Sequence, residues 1–226
     1  MEKANNDGGV GRLAFLQRLL FYFLRIFFKL LYHQFAWMYD FVAWGVSLGN
    51  WQKWVQAVAP YLEGPRVLEI VFGPGHLLVI LKEKAVSVYG LDESRQMVQI
   101  TQRRLRNHGF HPNLIRGDAV TLPFADESFH QVAMTFPTEF ILKSATISEI
   151  QRILTHKGTA LILPLAWVTG RRPWERLAAW VNRITGEAPD WNPTVLEPLK
   201  GAGFEISWDM IDFSNSKIVL IKMEKV

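Results

Sequence analysis

The side chains able to do chemistry sit in a few short stretches. In VLEIVFGPGHLL (residues 67–78) a carboxylate, Glu69, is followed by two glycines, Gly73 and Gly75. Glycine at a strand-to-helix turn lets the chain reverse tightly and lets backbone approach a ligand with no Cβ in the way. Asp92 ends the next apolar run, 23 residues after Glu69. An acidic side chain at that place can accept both hydroxyls of a ribose. Asp118 ends a third run, in Gly117-Asp118-Ala119. Open α/β sheets bind ligands at the carboxyl ends of their strands. Three carboxylates at three successive strand ends make a polar rim for a nucleoside with an amino-acid tail.

The elements that must position this rim alternate from residue 65 onward. Residues 66–71 and 86–92 read as the first two strands, with a helix over 75–85 between them. Residues 94–109 read as a helix with Ser94 as N-cap and Gly109 as its stop. Residues 113–119 and 130–136 give strands three and four, 144–156 an amphipathic helix, and 159–167 strand five. Residues 172–185 and 194–202 read as helical. The last two strands, 205–213 and 217–225, are joined by Ser214-Asn215-Ser216, which predicts an antiparallel hairpin. The expectation is an α/β fold: a doubly wound, mostly parallel seven-stranded sheet with one reversed strand. The main body spans 61–226, with a Trp- and Arg-rich cap insert over 164–193.

In front of it stand a polar tail expected to be disordered (residues 1–11) and an amphipathic helix and lid segment (12–60). The net charge is +4, and residues 1–33 hold five basic groups against two acidic ones, so most of the excess lies there. At 100° per residue, Arg25 and Lys29 fall within about 20° of Arg18, one narrow basic stripe beside Leu, Phe and Ile. That is the pattern of a helix lying in a membrane interface. A helix packed on its own domain or on a second subunit would carry the same pattern. Three cations argue against a membrane span, and no small-residue site follows for signal cleavage. The rest of the chain is near neutral, which gives no reason to expect a nucleic-acid partner. There is no cysteine, so disulfides, thiol nucleophiles and Cys-based zinc sites are excluded.

Four stretches, VLEIVFGPGHLL, YGLDESRQMV (89–98), RGDAVTLPFADESFHQV (116–132) and EIQRILTHKGTALIL (149–163), resemble the class I S-adenosylmethionine-dependent methyltransferases. The resemblance is greatest to the branch of ubiquinone/menaquinone-biosynthesis C-methyltransferases. FAWMYDFVAWGVSLGNWQKW (35–54) is similar to that branch's A-x-x-Y-D … S-x-G … W entry segment. The resemblance implies a Rossmann-like fold with S-adenosylmethionine as cofactor, while the tryptophans and arginines of the 164–193 insert suit a small lipophilic or anionic methyl acceptor, or a membrane surface. The resemblance also implies that Glu69, Gly73 and Gly75 line the methionine portion and that Asp92 binds the ribose, with Ser94 and Met97 nearby. Asp118 and Ala119 would flank the adenine, and Thr135 would face the reacting centre. Phe35, Tyr39 and Trp44 would cover the pocket, with Trp167 at the substrate mouth. Two places depart from the motif. Val71 stands where the first glycine of the loop is expected, and His130 replaces the last Asp of D-S-F-D.

Rival chemistries lack their residues. G-P-G-H-L-L is not G-x-G-x-x-G, and there is no Walker loop or G-x-S-x-G elbow. His108 and His111 have no acidic partner, so no metal site is expected. Thr135-Phe136-Pro137-Thr138 replaces the N/D-P-P-Y/F of adenine- and glutamine-methylating enzymes. Methyl transfer is an in-line displacement, which rests on alignment and water exclusion. Where a base is required, Glu139, His130 and His76 are the candidates. Valine at position 71 keeps a second reading open, a catalytically weakened scaffold attached to a membrane. A cytoplasmic protein, peripheral to the membrane where the N-terminal helix meets it, is the expected setting. The sequence leaves the oligomeric state undetermined.

Overall fold

A computed structural model describes residues 38–137, 143–169 and 192–226. The arm over 12–33, Phe35, Glu139 and the helix expected at 172–185 lie outside the described residues.

Two short helices enter first, α1 (Tyr39–Val46) and α2 (Trp51–Gln56). The α/β body follows: β1 (Arg66–Ile70), α3 (His76–Glu83), β2 (Ser87–Asp92), α4 (Arg95–Asn107), β3 (Leu114–Arg116), β4 (Phe129–Thr135), α5 (Ser144–Ile153) and β5 (Leu154–Val168). A 3-10 turn at Pro193–Leu196 runs into α6 (Glu197–Lys200). The chain closes with β6 (Phe204–Asp212) and β7 (Ser216–Lys225).

The seven strands lie in the order β3-β2-β1-β4-β5-β7-β6. All neighbouring pairs from β3 to β5 are parallel; β7 runs antiparallel to both β5 and β6. The expected doubly wound sheet with one reversed strand is the observed one. After β3 the order jumps back past β1 to β4, so the β1/β4 boundary is the switch point where such sheets open a crevice. Parallel strands covered on both faces must be apolar on both. Val67, Leu161 and Leu163 accordingly pack with Leu77, Leu81 and Trp54 on one face. Leu68, Ile70 and Val132 pack with Ile147, Ile150 and Leu199 on the other. The α2 helix is fastened to the far side of the sheet by Trp54, whose indole N–H donates to Ser216 Oγ at 2.9 Å.

Most boundaries shift by a residue or two, β3 is cut from 113–119 to Leu114–Arg116, and two further places differ more in kind. The α5 helix ends at Ile153 rather than at 156, and β5 begins at Leu154. Lys157 takes a left-handed φ of 59°, and a Cβ on Gly158 would come within 2.8 Å of the Thr155 carbonyl oxygen. The Lys157-Gly158 pair therefore marks an irregularity within the extended segment, not the stop of a helix. The helical stretch at 194–202 resolves into the 3-10 turn and α6, both containing a proline near their start.

Candidate functional site

The loop after β1 is the centre of the site. It turns by three left-handed residues, Val71 (φ 57°), Gly73 (φ 53°) and Gly75 (φ 77°), before α3 begins at His76. Gly75 admits no side chain, since a Cβ there would lie 2.3 Å from Thr101 Cγ2. Gly73 is the reverse case, for a Cβ there would meet nothing within 4 Å. Its neighbouring space is open to a ligand. The loop is held from α4, where Thr101 Oγ1 donates to the Gly73 carbonyl at 2.8 Å and Arg104 donates to that of Pro74.

Val71 is the departure that matters. An extended conformation would be the unstrained way to accommodate a valine here. The backbone instead turns at Val71 as a glycine would, and the residue borders the cavity while packing against the Leu68 and Ile70 core. A β-branched residue in the left-handed region costs about 1–2 kcal/mol. Phe136, just past β4, is strained in the same way at φ 52°. Both are anchored by a 2.7 Å backbone hydrogen bond, Val71 N–H to the Leu91 carbonyl and Phe136 N–H to that of Leu163. Two strained residues thus flank the switch point.

Asp92 is fully buried at the end of β2. It accepts the Gly73 N–H at 3.0 Å and the Ser94 N–H at 2.8 Å, which ties the Gly loop to the start of α4. Ser94 caps that helix as expected, accepting the Met97 N–H at 3.3 Å. Met97 is buried in the core beneath the cap. Asp118 is exposed beyond β3, accepting the Val120 N–H, and Ala119 beside it is buried.

Glu69 is buried in the middle of the sheet, one residue from the end of β1. Its Oε1 accepts from Thr135 Oγ1 at 3.4 Å, while Oε2 is buried with no hydrogen-bond partner. Burial pushes its carboxyl well above the ordinary range and the Asp92 charge adds to the rise, while the Thr135 hydroxyl and the Leu78 backbone amide oppose it. An orphaned buried carboxyl oxygen beside a cavity is a receptor for a cationic donor.

The cavity holds about 40 Å³ and is lined by Glu69, Val71, Gly73, His76 and Thr135, under a roof of Tyr39, Trp51 and Phe136. The roof is an aromatic set: Trp51 stacks on Phe136 at 4.3 Å, and Tyr39 meets Trp51 edge-on at 5.9 Å. Burial, then the Asp40 and Asp92 charges, push the Tyr39 hydroxyl's pKa up. Asp40 fixes α1 to the body through His76 Nε2 at 2.9 Å and through the Arg104 guanidinium. Burial alone would raise the Asp40 carboxyl; His76 and Arg104 outweigh it and hold it below the ordinary range.

The structure brings Glu69, Val71, Gly73, Gly75, Asp92, Ser94 and Thr135 together and sets others apart. Trp44 points outward, 63% exposed, and Trp51 occupies the roof position instead. Trp167 pairs with Lys217, packs against the second core and does not line the cavity. His130 is the second residue of β4, whereas Thr135 ends it, so five residues of strand put it about 17 Å from the cavity end. It is not placed to act as a base there. His76 lines the cavity with its Nε2 on Asp40. Among the described residues, no cluster of potential metal ligands occurs. The sequence reading missed Asp40, Trp51, Arg104 and Phe136. Arg104 carried no signal, because a basic residue on an amphipathic helix reads as solvated.

The fold, the Gly loop at the switch point and the carboxylates around it resemble those of the class I S-adenosylmethionine-dependent methyltransferases, and the methyltransferase-domain family matches residues 67–158. Within that class the chain resembles the quinone-biosynthesis branch. A demethylmenaquinone methyltransferase of Thermotoga maritima is 29% identical over 220 residues, which cover 84% of this chain and 93% of that protein. A ubiquinone/menaquinone-biosynthesis C-methyltransferase of Xanthomonas campestris is 32% identical over 58% of this chain, and the match spans only 55% of that relative. A crystal structure of an S-adenosylmethionine-dependent methyltransferase from Methanosarcina mazei shares the fold, with a TM-score of 0.56 at 19% identity, over 75% of this chain and 97% of that one. S-adenosylmethionine is the cofactor of this class, and the orphaned Glu69 oxygen beside the open Gly73 turn fits its ammonium end.

Proposed function

We propose that the protein transfers a methyl group from S-adenosylmethionine to a small lipophilic acceptor that it meets at a membrane surface. The observation that carries the reading is the cavity itself. On one side stand Glu69 and the Gly loop, which suit a charged amino-acid tail, and on the other the aromatic roof, which suits an apolar ring or chain. The names of the quinone-branch relatives favour the same acceptor class.

In this reading Glu69 accepts from the methionine ammonium, and Gly73 and Gly75 bring backbone against that end. Asp92 holds the ribose, with Ser94 and Met97 shaping the turn below it. Asp118 and Ala119 flank the adenine. When bound, S-adenosylmethionine supplies an electrophilic methyl on a sulfonium. The chain's own residues supply alignment and dryness: Thr135 and Phe136 face the reacting centre, and Tyr39 and Trp51 exclude water. The acceptor's nucleophilic atom forms the new bond to carbon as the carbon–sulfur bond breaks, its electron pair leaving on sulfur. An acceptor already deprotonated needs no protein base. His76, oriented by Asp40, is the candidate at the cavity when one is needed. Residues 12–33, basic and apolar, would hold the protein at the membrane interface.

The test is calorimetry with S-adenosylmethionine, then incubation of the protein, isotopically methyl-labelled cofactor and a lipid extract containing demethylated quinols. Label should appear in an organic-soluble product identified by mass spectrometry. Cofactor binding with no labelled lipid would overturn the acceptor class, and no cofactor binding would overturn the reading altogether.

A further inference from the structure

The α1 helix has two faces, and the cofactor site uses one. Tyr39 and Asp40 turn toward the Gly loop, and Ala43 is buried beneath the helix. On the outside, Phe41 is 70% exposed, Trp44 63% and Leu48 36%. Phe41 and Trp44 are three apart and share one helical stripe, which Leu48 extends past the helix end. Residues 41–52 contain no charged side chain, so no ionic group interrupts this strip along its own chain. Exposed aromatic surface of this kind marks an interaction site.

What precedes α1 points to the occupant. Thirty-seven residues lead into Met38, where the described chain starts. From residue 8 to residue 39 they carry Arg12, Arg18, Arg25 and Lys29 and not one acidic side chain. A cationic, apolar arm complements an anionic lipid surface, whereas two such arms brought together in a dimer would repel. We propose that Phe41, Trp44 and Leu48 insert into the headgroup region of an anionic bilayer, as the folded continuation of the basic arm. The helix that closes the cofactor site is then the helix that sits on lipid. An apolar acceptor reaches the roof without crossing water. The purpose of this surface rests on the lipophilic-acceptor reading above; its existence is testable without any methyl transfer.

The full chain is sedimented with vesicles of mixed phosphatidylglycerol and phosphatidylcholine at low and high salt. Three proteins are compared: the parent, a Phe41→Ser/Trp44→Ser/Leu48→Ser variant, and an Arg18→Gln/Arg25→Gln/Lys29→Gln variant. The serine variant should partition on the order of tenfold more weakly or worse at both salt levels, because apolar insertion is not screened. The glutamine variant should lose binding mainly at low salt. Calorimetry with S-adenosylmethionine reports whether each variant is folded. If the serine variant misfolds, Trp44→Glu alone should weaken partitioning in the same direction. A serine variant that binds vesicles like the parent overturns the proposal even if the glutamine variant fails. A parent that ignores vesicles overturns it too, with methyl transfer left to its own assay. A parent dimer that the serine variant splits, with vesicle binding unchanged, would make the face a subunit interface instead.

Discussion

Val71 is a residue whose cost and use are both visible. Its left-handed backbone is a conformation that glycine adopts freely and valine does not. Val71→Gly removes about 1–2 kcal/mol of strain and adds back unfolded-state entropy and lost packing of similar size. Val71→Ala loses the packing and keeps most of the strain. Chemical denaturation should therefore find the glycine variant more stable than the alanine variant by about 1 kcal/mol, and S-adenosylmethionine should bind it roughly tenfold more tightly than the parent. An alanine variant more stable than the glycine variant would mean that the loop does not turn here. At Asp92, Asp92→Ala should cost roughly 1.5–3 kcal/mol of cofactor binding, the range for hydrogen bonds to a charged group. Unchanged affinity in a folded variant would remove Asp92 from the ribose site. Glu69 gives a pH signature. Its carboxyl is raised in the folded chain, so its contribution is favourable at low pH, where it is protonated, and is lost as pH rises above the ordinary glutamate range. Glu69→Gln should equal the parent's stability near pH 4 and exceed it near pH 8, roughly the two sides of an unperturbed glutamate, while binding cofactor more weakly. A parent and variant with the same stability–pH profile would sink the assignment. Glu69, Asp92 and the two glycines were legible because each lies at the end of a strand or in a turn, whereas Asp118 sits two residues past the end of β3. The backbone of Val71 was not, since a one-residue difference in where a strand turns leaves no trace in composition.

Among the elements, α1 is joined to the body by few contacts, with Asp40 foremost. Asp40 is 45% exposed, so its ion pairs are worth no more than about 1 kcal/mol. Asp40→Asn should leave the global unfolding midpoint almost unmoved but speed hydrogen exchange at the α1 amides, with α4 unchanged. Its folded carboxyl is lowered, so the clamp holds above the ordinary aspartate range and fails as pH falls through that depressed value. Equal exchange rates in parent and variant would show that roof packing alone holds the helix. Elements were easier to read than their contacts. The terminal hairpin announced itself by two apolar runs around Ser214-Asn215-Ser216, and α4 by its Ser94 cap. The exchange of Trp44 for Trp51 in the roof was hidden, because both are tryptophans in one entry segment. The break after Val46, with Leu48 and Gly49 left-handed, decides which one turns inward. Helix α5 ended three residues early because Leu154 pairs with Phe129 at the start of β4, a long-range contact that no local pattern announces.

At the scale of the whole molecule, the site joins halves that the chain builds separately. Glu69, the Gly loop and Asp92 come from the β1–β2 half, Thr135 and Phe136 from β4, and the roof from α1 and α2. One continuous sheet carries both cores, so the described body should unfold as one cooperative unit. The cavity of about 40 Å³ is far below the roughly 300–1,000 Å³ of sites that hold ligands of this size. A cofactor whose methionine end fills this cavity has to lift Tyr39 and Trp51 to enter, and binding then recloses the roof. Two consequences follow for measurement. In stopped-flow mixing, the observed binding rate should level off with rising S-adenosylmethionine at the rate of opening, and Asp40→Asn should raise that plateau. At equilibrium, a ligand bound only by the folded chain stabilises all of it: at a hundredfold excess over Kd the gain is about 2.7 kcal/mol, or roughly 5–11 °C in Tm for a chain of this length. Calorimetric melts with and without cofactor measure this directly. A cofactor that slows exchange at α1 yet leaves Tm in place would be bound to the roof alone, outside the crevice between β1 and β4.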